Sequence, residues 1–177
     1  MNVAAHPSLA RLLTLLAASL LALASCIHDD ALPPVREYVQ VGDTLPRLSL
    51  TLMDGTRVSN ERWQGRTLVL VLFSIQCSDC QHELPEVERF HQMTLQRDDV
   101  YTLGISRDGG QEAVSAYWRT HNLTFPCSPQ SDAQVYHLFA SSIVPRIYIV
   151  SPQGRVIAMY DDTSMPQAEV LLRHVTP

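Results

Sequence analysis

The sequence predicts an α/β fold, with a mixed central sheet flanked by helices and an N-terminal β-hairpin. Three observations carry this expectation. Thr67-Leu68-Val69-Leu70-Val71-Leu72-Phe73 is a continuously apolar, partly β-branched run, as expected of a strand buried on both faces of a sheet. Behind it, helical and strand patterns alternate. The chain then closes with a strand pair and a last helix, the order of a layered α/β sandwich. A chain of 177 residues with 46% hydrophobic and 18% charged residues fits one globular domain with a short leader.

Each element has its own signal. Leu48 to Met53 alternates apolar and polar positions. Asp54-Gly55 then makes a turn into Thr56-Arg57-Val58, giving the hairpin. After the run at 67–73, the spacing of Leu84, Val87, Phe90 and Met93 predicts a helix, with Pro85 expected to kink it. Val100 to Ser106 reads as a second strand, Gln111 to His121 as a helix, and Asp132 to Phe139 as another short helix. Arg146 to Val150, the turn Ser151-Pro152-Gln153-Gly154 and Arg155 to Tyr160 form a second hairpin, and Met165 to His174 a closing helix.

Composition excludes several chemistries. The net charge of -5 argues against a nucleic-acid-binding surface. All 13 basic residues are arginines, so a Schiff-base lysine and a phosphate-loop lysine are ruled out. Four cysteines are too few to build a disulfide scaffold and enough for one reactive pair.

The N-terminus reads as a targeting segment. Arg11 precedes the Leu/Ala-rich run Leu12 to Ala24, which is shorter than the roughly 20 residues that span a bilayer and fits a secretory signal peptide better than an amphipathic helix. Leu23-Ala24-Ser25-Cys26 resembles a bacterial lipobox. On that reading residues 1–25 are a lipoprotein signal peptide and Cys26 carries the lipid. Residues 26–40, with Pro33-Pro34 and no periodicity, are a tether, and 41–177 the domain. The alternative is ordinary cleavage near Ala24, leaving Cys26 as a free thiol, a liability in an oxidising space. The expected location is the bacterial cell envelope, anchored to a membrane and facing the periplasm or exterior.

Cys77-Ser78-Asp79-Cys80 stands where the buried strand ends and a helix begins. Unpaired N–H groups and the positive end of the helix dipole favour a thiolate there. Cys77 at the helix mouth is then the exposed nucleophile, and Cys80, one turn in, the buried resolving thiol. Lowering a thiol pKa from about 8.5 to about 7 raises its thiolate fraction at pH 7 roughly 16-fold. The accompanying loss of nucleophilicity leaves a net gain of only about threefold. Positioning and leaving-group quality must supply the rest. The competing readings of the pair are a structural disulfide and half of a zinc site; no second ligand pair at zinc spacing is visible in the sequence.

Gly42-Asp43-Thr44-Leu45-Pro46, the Asp54-Gly55 turn, Leu68 to Phe73, Cys77-Ser78-Asp79-Cys80, Glu83-Leu84-Pro85, Val144-Pro145 and Gly154 together resemble the TlpA/ResA-type thioredoxin-like proteins, over about residues 41 to 175. The resemblance implies a thioredoxin-like fold and thiol–disulfide exchange with exported cysteine-containing proteins, in the reducing direction, with an upstream thiol electron donor and no cofactor or metal. It makes Cys77 and Cys80 the redox pair, Glu83 the active-site carboxylate that assists proton transfer, and Pro145 the cis-proline facing the pair. Val144 and Arg146, its neighbours, join it as substrate-binding positions. Glu83 lies three residues past Cys80, on the same helix face. An exposed helix carboxylate is its competing reading, and a trans edge-strand proline that of Pro145.

The sequence departs from that family at Gln76, where tryptophan is usual, and in the Ser-Asp interior of the cysteine motif. Asp79 there opposes thiolate formation. Arg146 has two readings, a side chain favouring acidic partners or bonding near Cys77, and a solvated strand end. Cys127 is either a buried small apolar residue or a second resolving thiol. Two other functions remain in view. A peroxiredoxin-like peroxidase is faintly echoed by Ser74-Ile75-Gln76-Cys77, although Leu70 stands where that motif expects proline. A redox-silent or Cu(I)-binding thioredoxin-fold protein is the other, with His137 as the one loose additional ligand candidate.

Overall fold

A computed structural model describes residues 34–175 of the chain. The signal segment, Cys26 and the first part of the tether lie outside the described residues. Among those described, no helix is long and apolar enough to cross a membrane.

The long apolar run forms strand β3 (Thr67–Phe73), with every residue from Leu68 to Phe73 fully buried. It is the central strand of a five-stranded sheet ordered β5-β4-β3-β6-β7. On one side β3 pairs in parallel with β4 (Val100–Ser106), matching Leu70 with Leu103. On the other it pairs antiparallel with β6 (Arg146–Val150), matching Leu72 with Arg146. β7 (Val156–Tyr160) and the two-residue β5 (Cys127–Ser128) are the edges. The expected hairpin is present ahead of the sheet, with β1 (Ser49–Thr51) antiparallel to β2 (Arg57–Ser59). Gly55 in its turn adopts φ +85, a conformation that favours glycine.

Helix α1 (Ser78–Thr94) follows β3 and continues past Pro85 to Thr94. It packs with α3 (Ala168–Arg173), and the Glu86 carboxylate accepts from the Ala168 N–H at 2.9 Å. Helix α2 (Gly110–Thr120) sets Trp118 against both Phe73 and Phe125, with ring centroids 5.1 Å apart in each pair. This cluster leaves no room on β4: a Cβ on Gly104 would come within 3.0 Å of Phe125 and 3.2 Å of Phe73.

Three local expectations differ from the structure. Residues 132–139 hold only a 3-10 turn at Tyr136–Leu138, because Tyr136 and Phe139 are anchored in the core and tertiary packing overrides helix periodicity. The closing helix begins at Ala168, after Pro166. Residues 36–40 do not hang free. Glu37 forms an antiparallel bridge with Ala140, the N–H groups of Tyr38 and Val39 both donate to the Phe139 carbonyl, and Val39 is buried. Residues 37–39 therefore pack against the fold.

Candidate active site

The parallel strands β3 and β4 both end at the same edge of the sheet, where ligands gather in open α/β folds. β3 delivers the chain into Ser74-Ile75-Gln76, and Cys77 caps α1 with extended backbone angles. The Gln81 N–H donates to the Cys77 carbonyl at 3.0 Å, so Cys77 stands at the helix mouth and Cys80 in its first turn. Cys77 is partly exposed and Cys80 wholly buried, and both are free thiols.

Each sulfur has a defined partner. The Cys77 thiol donates to the Val144 carbonyl at 3.3 Å, and the Val144–Pro145 peptide is cis. The Ser74 N–H donates to the Cys80 sulfur at 3.5 Å. Burial pushes the Cys80 thiol far up and the neighbouring Cys77 adds to the upward push, with the Ser74 N–H and the Arg107 charge acting against it. A thiol in that state needs its proton removed before it can act as a nucleophile.

Glu83 lies one turn further along α1. It is only 3% exposed, and among the described residues its Oε1 has no hydrogen-bond partner. Burial first, and then the nearby charge of Glu86, push its pKa up to about 7. A carboxyl titrating there can take up or release a proton at neutral pH.

Arg146 is 1% exposed, so a solvated strand end does not describe it. Its guanidinium turns inward, to the Ile143 carbonyl at 3.1 Å, the Ser142 carbonyl at 2.9 Å, the Tyr136 hydroxyl at 3.3 Å and the Glu37 carboxylate at 2.6 Å. Cys127 is buried in β5 beside Gly104, and burial raises its thiol well above the ordinary range. Those facts fit the small apolar reading. Among the described residues no group of three or more His, Cys, Asp and Glu side chains could hold a metal ion.

Sequence reasoning missed a polar group on the β4 side. The buried Ser74 hydroxyl donates to Asp108 at 2.7 Å and accepts from the Gln76 N–H at 3.3 Å. Arg107 pairs with Asp108 at 3.3 Å and lies 5.8 Å from the Tyr136 ring centroid. The available signal was positional: Arg107-Asp108 directly follows the carboxyl end of a parallel strand adjacent to the one carrying the cysteines.

The comparisons with known proteins agree with this geometry. Residues 41–159 match the AhpC/TSA family. The thiol-disulfide oxidoreductase ResA of Oceanobacillus iheyensis is 25% identical over 82% of this chain and 74% of its own length, and ResA of Bacillus subtilis 21% over 72% and 71%. Among solved structures, a putative protein disulfide isomerase from Bacteroides thetaiotaomicron superposes with a TM-score of 0.72 at 21% identity, covering 80% of this chain and 90% of that one. StoA from Bacillus subtilis gives 0.62 at 19%, covering 76% and 100%. A dithiol at a helix mouth, faced by a cis-proline at the end of a thioredoxin-like sheet, has the same meaning as these likenesses: the chain belongs to the AhpC/TSA family, as a ResA-like thiol–disulfide oxidoreductase.

Proposed function

We propose that the protein works outside the cytoplasm, held to a membrane by lipid on Cys26, and reduces disulfides in exported proteins. The observation that carries the exchange chemistry is the asymmetry of the pair: Cys77 partly exposed at the helix mouth, Cys80 buried behind it. The envelope location rests on the leader and its Leu23-Ala24-Ser25-Cys26 motif. The ResA relatives and a secreted thiol-disulfide isomerase from Corynebacterium glutamicum among the structural neighbours support it.

In this cycle the Cys77 thiolate attacks one sulfur of a partner disulfide. The partner's other sulfur leaves as a thiolate and takes up a proton. Pro145 and Val144 bind the partner's backbone beside the new mixed disulfide. Cys80 gives its proton to Glu83 and attacks the Cys77 sulfur, which releases the partner's second thiolate and closes the Cys77–Cys80 disulfide. An upstream dithiol donor then returns the pair to the reduced state. Two electrons pass from donor to partner in each turn.

Trapping tests the proposal. Cys80→Ala removes the resolving sulfur, so mixed disulfides on Cys77 should accumulate in cells and be identifiable as exported proteins. A Cys77→Ala control should trap far less. Equal trapping by the two variants would contradict the proposed roles.

A further inference from the structure

We infer that Arg146 is a positioning residue for the exchange reaction, holding the 142–144 loop so that the Val144 carbonyl faces Cys77. The inference rests on the exchange reading above and assigns Arg146 an indirect role, through the loop, in place of direct contact with the partner.

The loop needs holding. Ile143 has φ +74, a left-handed conformation that is a genuine outlier for a β-branched residue. Such a backbone persists only where its surroundings over-determine it. Two donors converge on the Ile143 carbonyl, the Tyr136 hydroxyl at 2.6 Å and Arg146 Nε at 3.1 Å. The other arm of the guanidinium takes the Ser142 carbonyl at 2.9 Å. One rigid fork therefore fixes two successive peptide groups immediately ahead of Val144. A lysine presents a single point of donation and cannot reproduce this.

The fork is itself anchored. Arg146 opens β6 beside Leu72 of β3, so its backbone belongs to the centre of the sheet. Glu37 balances its charge at 2.6 Å. Glu37 is held in turn by the bridge to Ala140, and the neighbouring Arg36 carbonyl accepts from the Ser141 N–H at 2.9 Å. The segment entering the domain is thus fastened to the loop that faces the nucleophile. Loosening the fork would let the Val144 carbonyl drift from its 3.3 Å contact with the Cys77 sulfur, and with it the strand edge offered to a partner. The Val144 contact accepts a proton-bearing thiol and has no counterpart in the disulfide, so it favours the reduced pair.

The test compares Tyr136→Phe, Glu37→Gln and Arg146→Lys with the wild type in the full chain, using turnover of a peptide disulfide, the pair's equilibrium with glutathione, and thermal unfolding. Tyr136→Phe removes one donor with little change of shape and guards against misfolding of the Arg146 variant. For Arg146→Lys, KM should rise about tenfold with kcat falling less. The dithiol–disulfide equilibrium should move about threefold toward the disulfide, or ~15 mV. Glu37→Gln and Tyr136→Phe should shift both quantities in the same direction by less. Variants that melt earlier but keep the wild-type KM and redox equilibrium would overturn the inference and leave Arg146 a purely structural residue. A wild-type protein with no turnover would instead count against the exchange reading itself.

Discussion

Cys80, in the first turn of α1, and Cys127, in the edge strand β5, are both shut off from solvent. Burial pushes both thiols up. For Cys127 burial is the sole cause, and its neighbours are the apolar packing around Gly104. For Cys80 the Ser74 N–H and the Arg107 charge act against burial, and the neighbouring Cys77 adds to it. The difference teaches that burial does not by itself tell the two cysteines apart; what surrounds each sulfur does. The resolving role proposed for Cys80 draws on what surrounds its sulfur, a neighbouring sulfur and an N–H donor.

The sharpest way to break this comparison is to remove the sulfurs one at a time. Cys77→Ser should lower turnover of a peptide disulfide by about a thousandfold or more, since a nucleophile is lost outright. Cys127→Ala should leave turnover within about twofold of wild type, because a small apolar residue replaces a small apolar one. A large catalytic loss in Cys127→Ala, with the fold intact by circular dichroism, would merge the two regions and undo the distinction.

Glu83, the proton acceptor proposed for Cys80, sharpens the comparison. If it takes the Cys80 proton, Glu83→Gln should slow release of a trapped partner about a hundredfold, while the initial attack by Cys77 changes little. Single-turnover kinetics separate the two steps. The same carboxyl also leaves a mark on stability. Its folded pKa is raised from 4.5 to about 7, so the folded state holds a proton that the unfolded state has released. Stability on this account is full below about pH 4.5 and declines as pH rises toward about 7, by at most about 3 kcal/mol. In Glu83→Gln this decline should vanish from urea midpoints measured across that range. An unchanged decline would place the titrating group elsewhere.

Much of this architecture was legible in the sequence because it follows from local pattern. The unbroken apolar run of β3 declared a strand buried on both faces, and the CxxC spacing at its end put one sulfur at a helix mouth and the other one turn in. Asp54-Gly55 announced its hairpin by turn chemistry alone. What stayed hidden depends on distant contacts. β5 is two residues long and exists only because β4 offers it an edge, so no periodicity marks it. The helical spacing at 132–139 reflects core anchors, Tyr136 and Phe139, set on a short turn. The partners of Arg146 come from residue 37, in a segment whose composition reads as a tether, and from the carbonyls of a loop whose backbone shape no local signal encodes. The Ser74–Asp108 pair likewise joins the ends of two strands that are neighbours only in the folded sheet.

The central claim is that Cys77 and Cys80 form one two-electron couple while Cys127 stays apart. Equilibrating the protein across a series of glutathione buffers, quenching with a thiol-labelling reagent and reading each cysteine by mass spectrometry tests it directly. The account predicts that labels on Cys77 and Cys80 disappear together along a single two-electron curve, with Cys127 remaining a thiol throughout. Cys77 and Cys80 that change independently, or never pair within the range that biological thiols reach, would contradict it.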